Sequence, residues 1–104
     1  MDFASLRSHD FRRILLIKLS ALGDVIHAIP VLHQLRRRYP HARIDWLTKP
    51  ANAELIRHHP ALDRVILFQD EDLRHPWRAG RRPGRMLRNL FRELRAGEYD
   101  LVID

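Results

Sequence analysis

In the stretch Lys18-Leu-Ser-Ala-Leu-Gly-Asp-Val-Ile-His-Ala-Ile-Pro30, one glycine and one carboxylate, Gly23 and Asp24, fall where an apolar run gives way to an amphipathic pattern. Junctions of that kind are where open α/β sheets place their chemistry. An aspartate there either caps the helix beginning beside it or presents a carboxylate to whatever binds at the junction. The phosphate-binding alternatives fail on composition. A dinucleotide turn wants three glycines and a P-loop ends in Gly-Lys followed by Ser or Thr, whereas only Gly23 lies in this turn. A carboxylate at a helix start would also repel a docked phosphate. His27 follows Asp24 by one helical turn and shares its face, with packing or capping as the alternative to catalysis. No metal centre is expected: the chain lacks cysteine, His58 and His59 are adjacent and so diverge on a helix, and His27 and His33 are six apart.

The elements that must position these residues follow from periodicity. Arg13-Ile-Leu-Leu-Ile-Lys18 is too short for a typical helix and is bounded by charge, so it reads as a strand covered on both faces. Val25, Ile26, Ile29, Leu32 and Leu35 recur at helical spacing over 24–38, and Pro40 separates this helix from a second strand at 42–48. In that strand Ile44, Trp46 and Thr48 alternate with Asp45 and Leu47. Residues 50–58 form a short helix with proline at its start, and 64–68 a third strand. The polar segment from Gln69 to Arg85, punctuated by Pro76, Gly80, Pro83 and Gly84, is a long loop suited to binding. A last helix over 85–96 places Met86, Leu87, Leu90, Phe91 and Leu94 on one face and stops at Gly97, and a fourth strand opens at Leu101. Alternating strands and helices predict an α/β fold: a Rossmann-like, mostly parallel sheet with right-handed crossovers, in the order 3-2-1-4. Asp24 then stands at the carboxyl end of the first strand. Residues 1–12 are expected to be a flexible extension.

The 104 residues suffice for one domain. A chain of this size buries roughly 65% of its unfolded surface. No apolar stretch approaches the ~20 residues needed to span a bilayer and the amino terminus lacks a signal-peptide core, so a cytoplasmic protein is expected. The net charge of +6 comes almost entirely from arginine, since Lys18 and Lys49 are the only lysines. The excess is local: Arg74, Arg78, Arg81, Arg82, Arg85, Arg88, Arg92 and Arg95 are opposed between 74 and 95 by Glu93 alone. Such a surface attracts anions. An arginine-rich nucleic-acid binder is one alternative to an enzyme, but the last helix turns an apolar face to a core and no nucleic-acid motif accompanies the charge, so no such partner is expected. A non-catalytic Rossmann-like binding module is the other alternative, because fold alone does not fix function.

The stretch from Ile17 to Pro30 resembles the amino-terminal signature of the bacterial lipopolysaccharide heptosyltransferases, glycosyltransferase family nine. The likeness continues in Ala42-Arg-Ile-Asp-Trp46, Asp63-Arg-Val-Ile66 and Tyr99-Asp-Leu-Val-Ile-Asp104, each near the place of a strand in that family. The resemblance implies that 13–104 is a partial amino-terminal, acceptor-binding domain of a two-domain GT-B glycosyltransferase whose carboxyl-terminal donor domain is absent. It further implies an inverting transfer of heptose from ADP-heptose to the Kdo inner core of lipopolysaccharide, with Asp24 as the general base for the acceptor hydroxyl. Lys18, Ser20, Gly23 and His27 fall on motif positions and are implied to bind substrate. Lys18 as a strand cap and Gly23 as a turn-permitting residue are the alternatives. Arg74, Trp77, Arg78, Arg81 and Arg82 resemble the basic and aromatic segment that contacts the anionic Kdo-lipid A acceptor. The nucleotide sugar is a co-substrate bound mainly through the absent domain, and neither cofactor nor metal is implied. The 104 residues alone are expected to be inactive. A peripheral location at the cytoplasmic face of the inner membrane fits the lipid-linked acceptor, and a basic loop is drawn to anionic headgroups by about 1 kcal/mol per residue.

Overall fold

The computed structural model describes residues 10–68 and 83–104, with the backbone alone at 83–86. Four strands, β1 (Arg13–Ile17), β2 (Arg43–Thr48), β3 (Arg64–Leu67) and β4 (Leu101–Ile103), alternate among the described residues with three helices, α1 (Leu22–Arg38), α2 (Pro50–Ile56) and α3 (Pro83–Ala96). Every strand pairing is parallel and the order is β3-β2-β1-β4, as the alternation predicts. The chain runs outward from β1 to β3 and then returns to the other side of β1. That reversal makes a switch point between β1 and β4, where an open α/β sheet leaves a crevice at the carboxyl ends of its strands.

Both faces of the sheet are packed. Ile14, Leu16, Ile44 and Trp46 join Val25, Ala28 and Leu32 of α1 and Ile56 of α2 in one core. Leu15, Leu47 and Ile66 point the other way, with Leu90, Leu94 and Tyr99 packed against them. Two-sided burial is why β1 is an unbroken apolar run. α3 covers its face less fully than α1 covers the other. An open groove of about 970 Å³ lies between α3 and the sheet, lined by Leu15, Ile17, Phe91, Tyr99 and Val102 among others.

Three expectations change. Residues 11 and 12 are part of the fold rather than of a flexible extension: Phe11 is buried and packs edge-on against Tyr39, ring centroids 5.5 Å apart. The Arg12 and Arg13 amides both donate to the Asp100 carboxylate, at 3.0 and 2.9 Å, which fixes the entry to β1. Second, α1 starts at Leu22, two residues before the expected start at 24, and Pro30 within it leaves the Ile26 carbonyl without its helical donor. Third, Ile26 and Phe91, 47% and 68% exposed, fall off the buried stripes to which their spacing assigned them. The far end of α1 is closed by Arg36, whose guanidinium donates to the carbonyls of Pro40, Ala42 and Ala61 and to the Asp63 carboxylate. After α3, a Cβ on Gly97 would stand 2.5 Å from the Tyr99 ring, so the close approach of that ring requires glycine. Among the described residues no helix is long and apolar enough to cross a membrane.

Candidate active site

The exit of β1 is held by β2 and α2. The Lys18 amide donates to the Leu47 carbonyl at 3.2 Å, and the Trp46 indole N–H reaches the Lys18 carbonyl at 3.4 Å. One residue on, the Leu19 carbonyl accepts from three donors: the Lys49 amide at 3.3 Å, the Thr48 hydroxyl at 3.4 Å and the Asn52 side-chain amide at 3.1 Å. Thr48 and Asn52 are both buried. From this clamp the chain passes through Ser20 and Ala21 into α1, whose first helical bond runs from the Val25 amide to the Ala21 carbonyl at 3.1 Å.

Ala21 occupies the cap position of α1 and makes no side-chain capping hydrogen bond. Asp24 is the third residue of the helix, so the capping reading of Asp24 is overturned. Its negative charge suits the first turn. The side chain is exposed, and among the described residues it has neither a hydrogen-bond nor an ion-pair partner. Gly23 is helical as well. A Cβ there would meet nothing within 4 Å and its φ is not left-handed, so neither crowding nor strain demands glycine, and the turn-permitting reading fails too. What Gly23 leaves is open space next to Asp24.

Ser20 and His27 are exposed, His27 one turn beyond Asp24, and Lys18 is half-buried. The structure therefore gathers Lys18, Ser20, Gly23, Asp24 and His27 at the switch-point edge. Leu22, 54% exposed, and Ile26 add apolar surface to the same first turns of α1. Asp104 follows β4 at this edge, one residue past the Ile103 that pairs with Leu16. Arg74, Trp77, Arg78, Arg81 and Arg82 lie outside the described residues. Sequence reasoning passed over Thr48, Asn52 and Asp104. The available signal for Asn52 was an amide among the small and apolar residues of a short helix. Among the described residues no group of three or more His, Asp or Glu side chains is placed to hold a metal ion.

The displaced proton affinities belong to the opposite, amino side of the sheet. Asp45 is fully buried, accepts from the Tyr99 hydroxyl at 2.6 Å, and lies 3.4 and 3.5 Å from Arg43 and Arg64 nitrogens. Burial, followed by that hydrogen bond, pushes the Tyr99 phenol above its ordinary value. The hydrogen bond from Arg64 to Tyr99 raises the Arg64 guanidinium. This cluster ties β2 and β3 to the approach to β4 and stands away from Asp24.

An open carboxylate at a switch point, with an imidazole one turn away and room beside it, can take a proton from a bound hydroxyl. The fold that carries it is shared with part of solved glycosyltransferases of family nine. The family 9 glycosyl transferase of Veillonella parvula matches with a TM-score of 0.68 and 28% identity, over 86% of this chain and 24% of that one. Escherichia coli heptosyltransferase WaaC, solved with ADP-2-deoxy-2-fluoro heptose, matches with a TM-score of 0.62 and 29% identity, over 88% of this chain and 29% of that one. Among curated relatives, lipopolysaccharide heptosyltransferase 1 of Escherichia coli K12 is 36% identical over 93 residues, 88% of this chain and 28% of that protein. Its Pseudomonas aeruginosa counterpart is 39% identical over 104 residues, 88% of this chain and 26% of that protein. No family model matches. Over its matched length the chain is similar to the lipopolysaccharide heptosyltransferases of glycosyltransferase family nine, and it spans 28% and 26% of the length of these two curated relatives.

Proposed function

We propose that the chain supplies the acceptor side of an inverting heptosyltransferase that moves heptose from ADP-heptose to the Kdo inner core of lipopolysaccharide. Asp24 is the general base. The acceptor oxygen attacks the anomeric carbon while its proton passes to the Asp24 carboxylate. The bond from that carbon to the diphosphate oxygen breaks on the opposite face, and ADP leaves. One observation carries the reading: in a chain similar to heptosyltransferases over 88% of its length, Asp24 stands open at the switch point, without a partner among the described residues.

Ser20, Gly23 and His27 border the acceptor sugar in this reading, and Lys18 anchors the strand beneath it. Arg74, Trp77, Arg78, Arg81 and Arg82 engage the carboxylates and phosphates of Kdo-lipid A, which arginine's planar fork fits. The donor diphosphate is not held at the start of α1, because Asp24 would repel it. Its charge needs cations or helix amino termini elsewhere, and a second Rossmann-like domain in the GT-B arrangement supplies them. The reaction uses no metal or other cofactor in this reading. A lipid-linked acceptor places the enzyme at the cytoplasmic face of the inner membrane, held peripherally by basic surface. The full-length protein, given ADP-heptose and Kdo-bearing lipid A, is expected to form a heptosylated product with inverted anomeric configuration by NMR. Retained configuration, or no heptose transferred, would contradict the reading.

A further inference from the structure

We infer that Asn52 is a positioning residue for Asp24, acting through the Leu19 carbonyl; this rests on the reading of Asp24 as the base. Asparagine is a poor choice for a buried helical position, because its amide must be satisfied and its side chain competes with the backbone. The other buried residues of α2, Ala53 and Ile56, are apolar, yet Asn52 is only 8% exposed. Its donor goes to the main-chain carbonyl of Leu19, 33 residues away, at 3.1 Å, which is the shortest of the three bonds to that oxygen. The bond joins α2 to the segment that carries the catalytic turn.

Leu19 is the last half-buried residue before the exposed stretch Ser20 to Asp24. With Ala21 at the cap position and no side chain capping α1, the helix start is set by the point at which the chain leaves β1. Fixing Leu19 therefore fixes the first turn of α1 and the direction in which Asp24 faces. The contrast with Asp45 is informative: that buried polar group ties strands and the approach to β4 on the amino side, whereas Asn52 ties the turn at the carboxyl edge.

The test uses the full-length protein with Asn52→Leu, which keeps the bulk and removes the donor, and Asn52→Ala, which removes both. Amide exchange at Val25, the first hydrogen-bonded amide of α1, is expected to quicken by about tenfold or more, the equivalent of one lost hydrogen bond, with the sheet amides unchanged. The kcat is expected to fall about 10- to 100-fold, the scale of a misplaced catalytic group, with the acceptor KM within about threefold of wild type. In an Asp24→Asn background, Asn52→Leu is expected to cost nothing more. Unchanged exchange at Val25, or a kcat loss that multiplies with that of Asp24→Asn, would overturn the inference. Wild-type kcat in Asp24→Asn alone would end the base reading instead, and exchange at Val25 would still decide whether Asn52 holds the turn.

Discussion

Two aspartates, one in α1 and one in β2, stand in opposite environments. Asp24 stands in solvent at the carboxyl edge without a partner among the described residues, so its lone pairs are available to an incoming hydroxyl. Asp45 is sealed between the sheet and Tyr99, and one of its oxygens accepts from that phenol while the other, Oδ1, has no hydrogen-bond partner among the described residues. A buried carboxylate that loses a donor is costly, because nothing replaces the lost solvation. Tyr99→Phe is therefore expected to destabilise the protein by about 1.5–3 kcal/mol in urea unfolding. A loss below about 0.5 kcal/mol would mean that Arg43 and Arg64 alone satisfy Asp45. The sequence hid this difference. The alternation of Ile44, Trp46 and Thr48 with Asp45 and Leu47 carries no signal that Asp45 is buried, and only the packing of Tyr99 over that face reveals it.

At the scale of elements, α1 is secured at both ends by groups from other parts of the chain. Its start depends on the Leu19 clamp; its far half is tied to the loop before β3 by Arg36 and by a histidine pair. The His59 Nδ1 accepts from the Ala61 amide at 3.1 Å, so its proton sits on Nε2, which faces the His33 Nε2 at 3.2 Å. A proton added to either ring breaks one of these bonds. Burial and then the neighbouring His33 hold the His59 imidazole below its ordinary value. The unfolded chain consequently binds that proton at higher pH than the folded one. This contribution to stability is complete above about pH 6.5 and is lost as pH falls through the folded value. Urea midpoints are expected to drop between about pH 7.5 and pH 5.5, and to drop less in His59→Gln; equal drops in both would count against the pair. Much of this architecture is legible in the sequence, because an unbroken apolar run marks β1, alternation marks β2 and a helical period marks most of α1. The start of α1 was not, since Ala21 offers no capping signal and the clamp that sets it comes from residues some thirty positions on.

For the whole molecule, acceptor chemistry and donor binding are expected to separate in space. The matched region amounts to 28% of the Escherichia coli relative, and its switch-point edge presents a carboxylate, which is the wrong charge for a diphosphate. Residues 1–104 by themselves are accordingly expected to transfer no heptose from ADP-heptose to a Kdo-bearing acceptor, as followed by mass spectrometry of the acceptor. Any enzyme-dependent product would show that the donor is bound within these residues. The claim joining all three scales is that the intact enzyme works through one oxygen-bearing side chain at the first turn of α1. It is tested most directly by steady-state kinetics of Asp24→Asn in the full-length protein, with ADP-heptose and Kdo-bearing lipid A. The account predicts a kcat lowered about 10²- to 10⁴-fold, the usual worth of a general base, with unchanged thermal stability. A kcat within about threefold of wild type would contradict it.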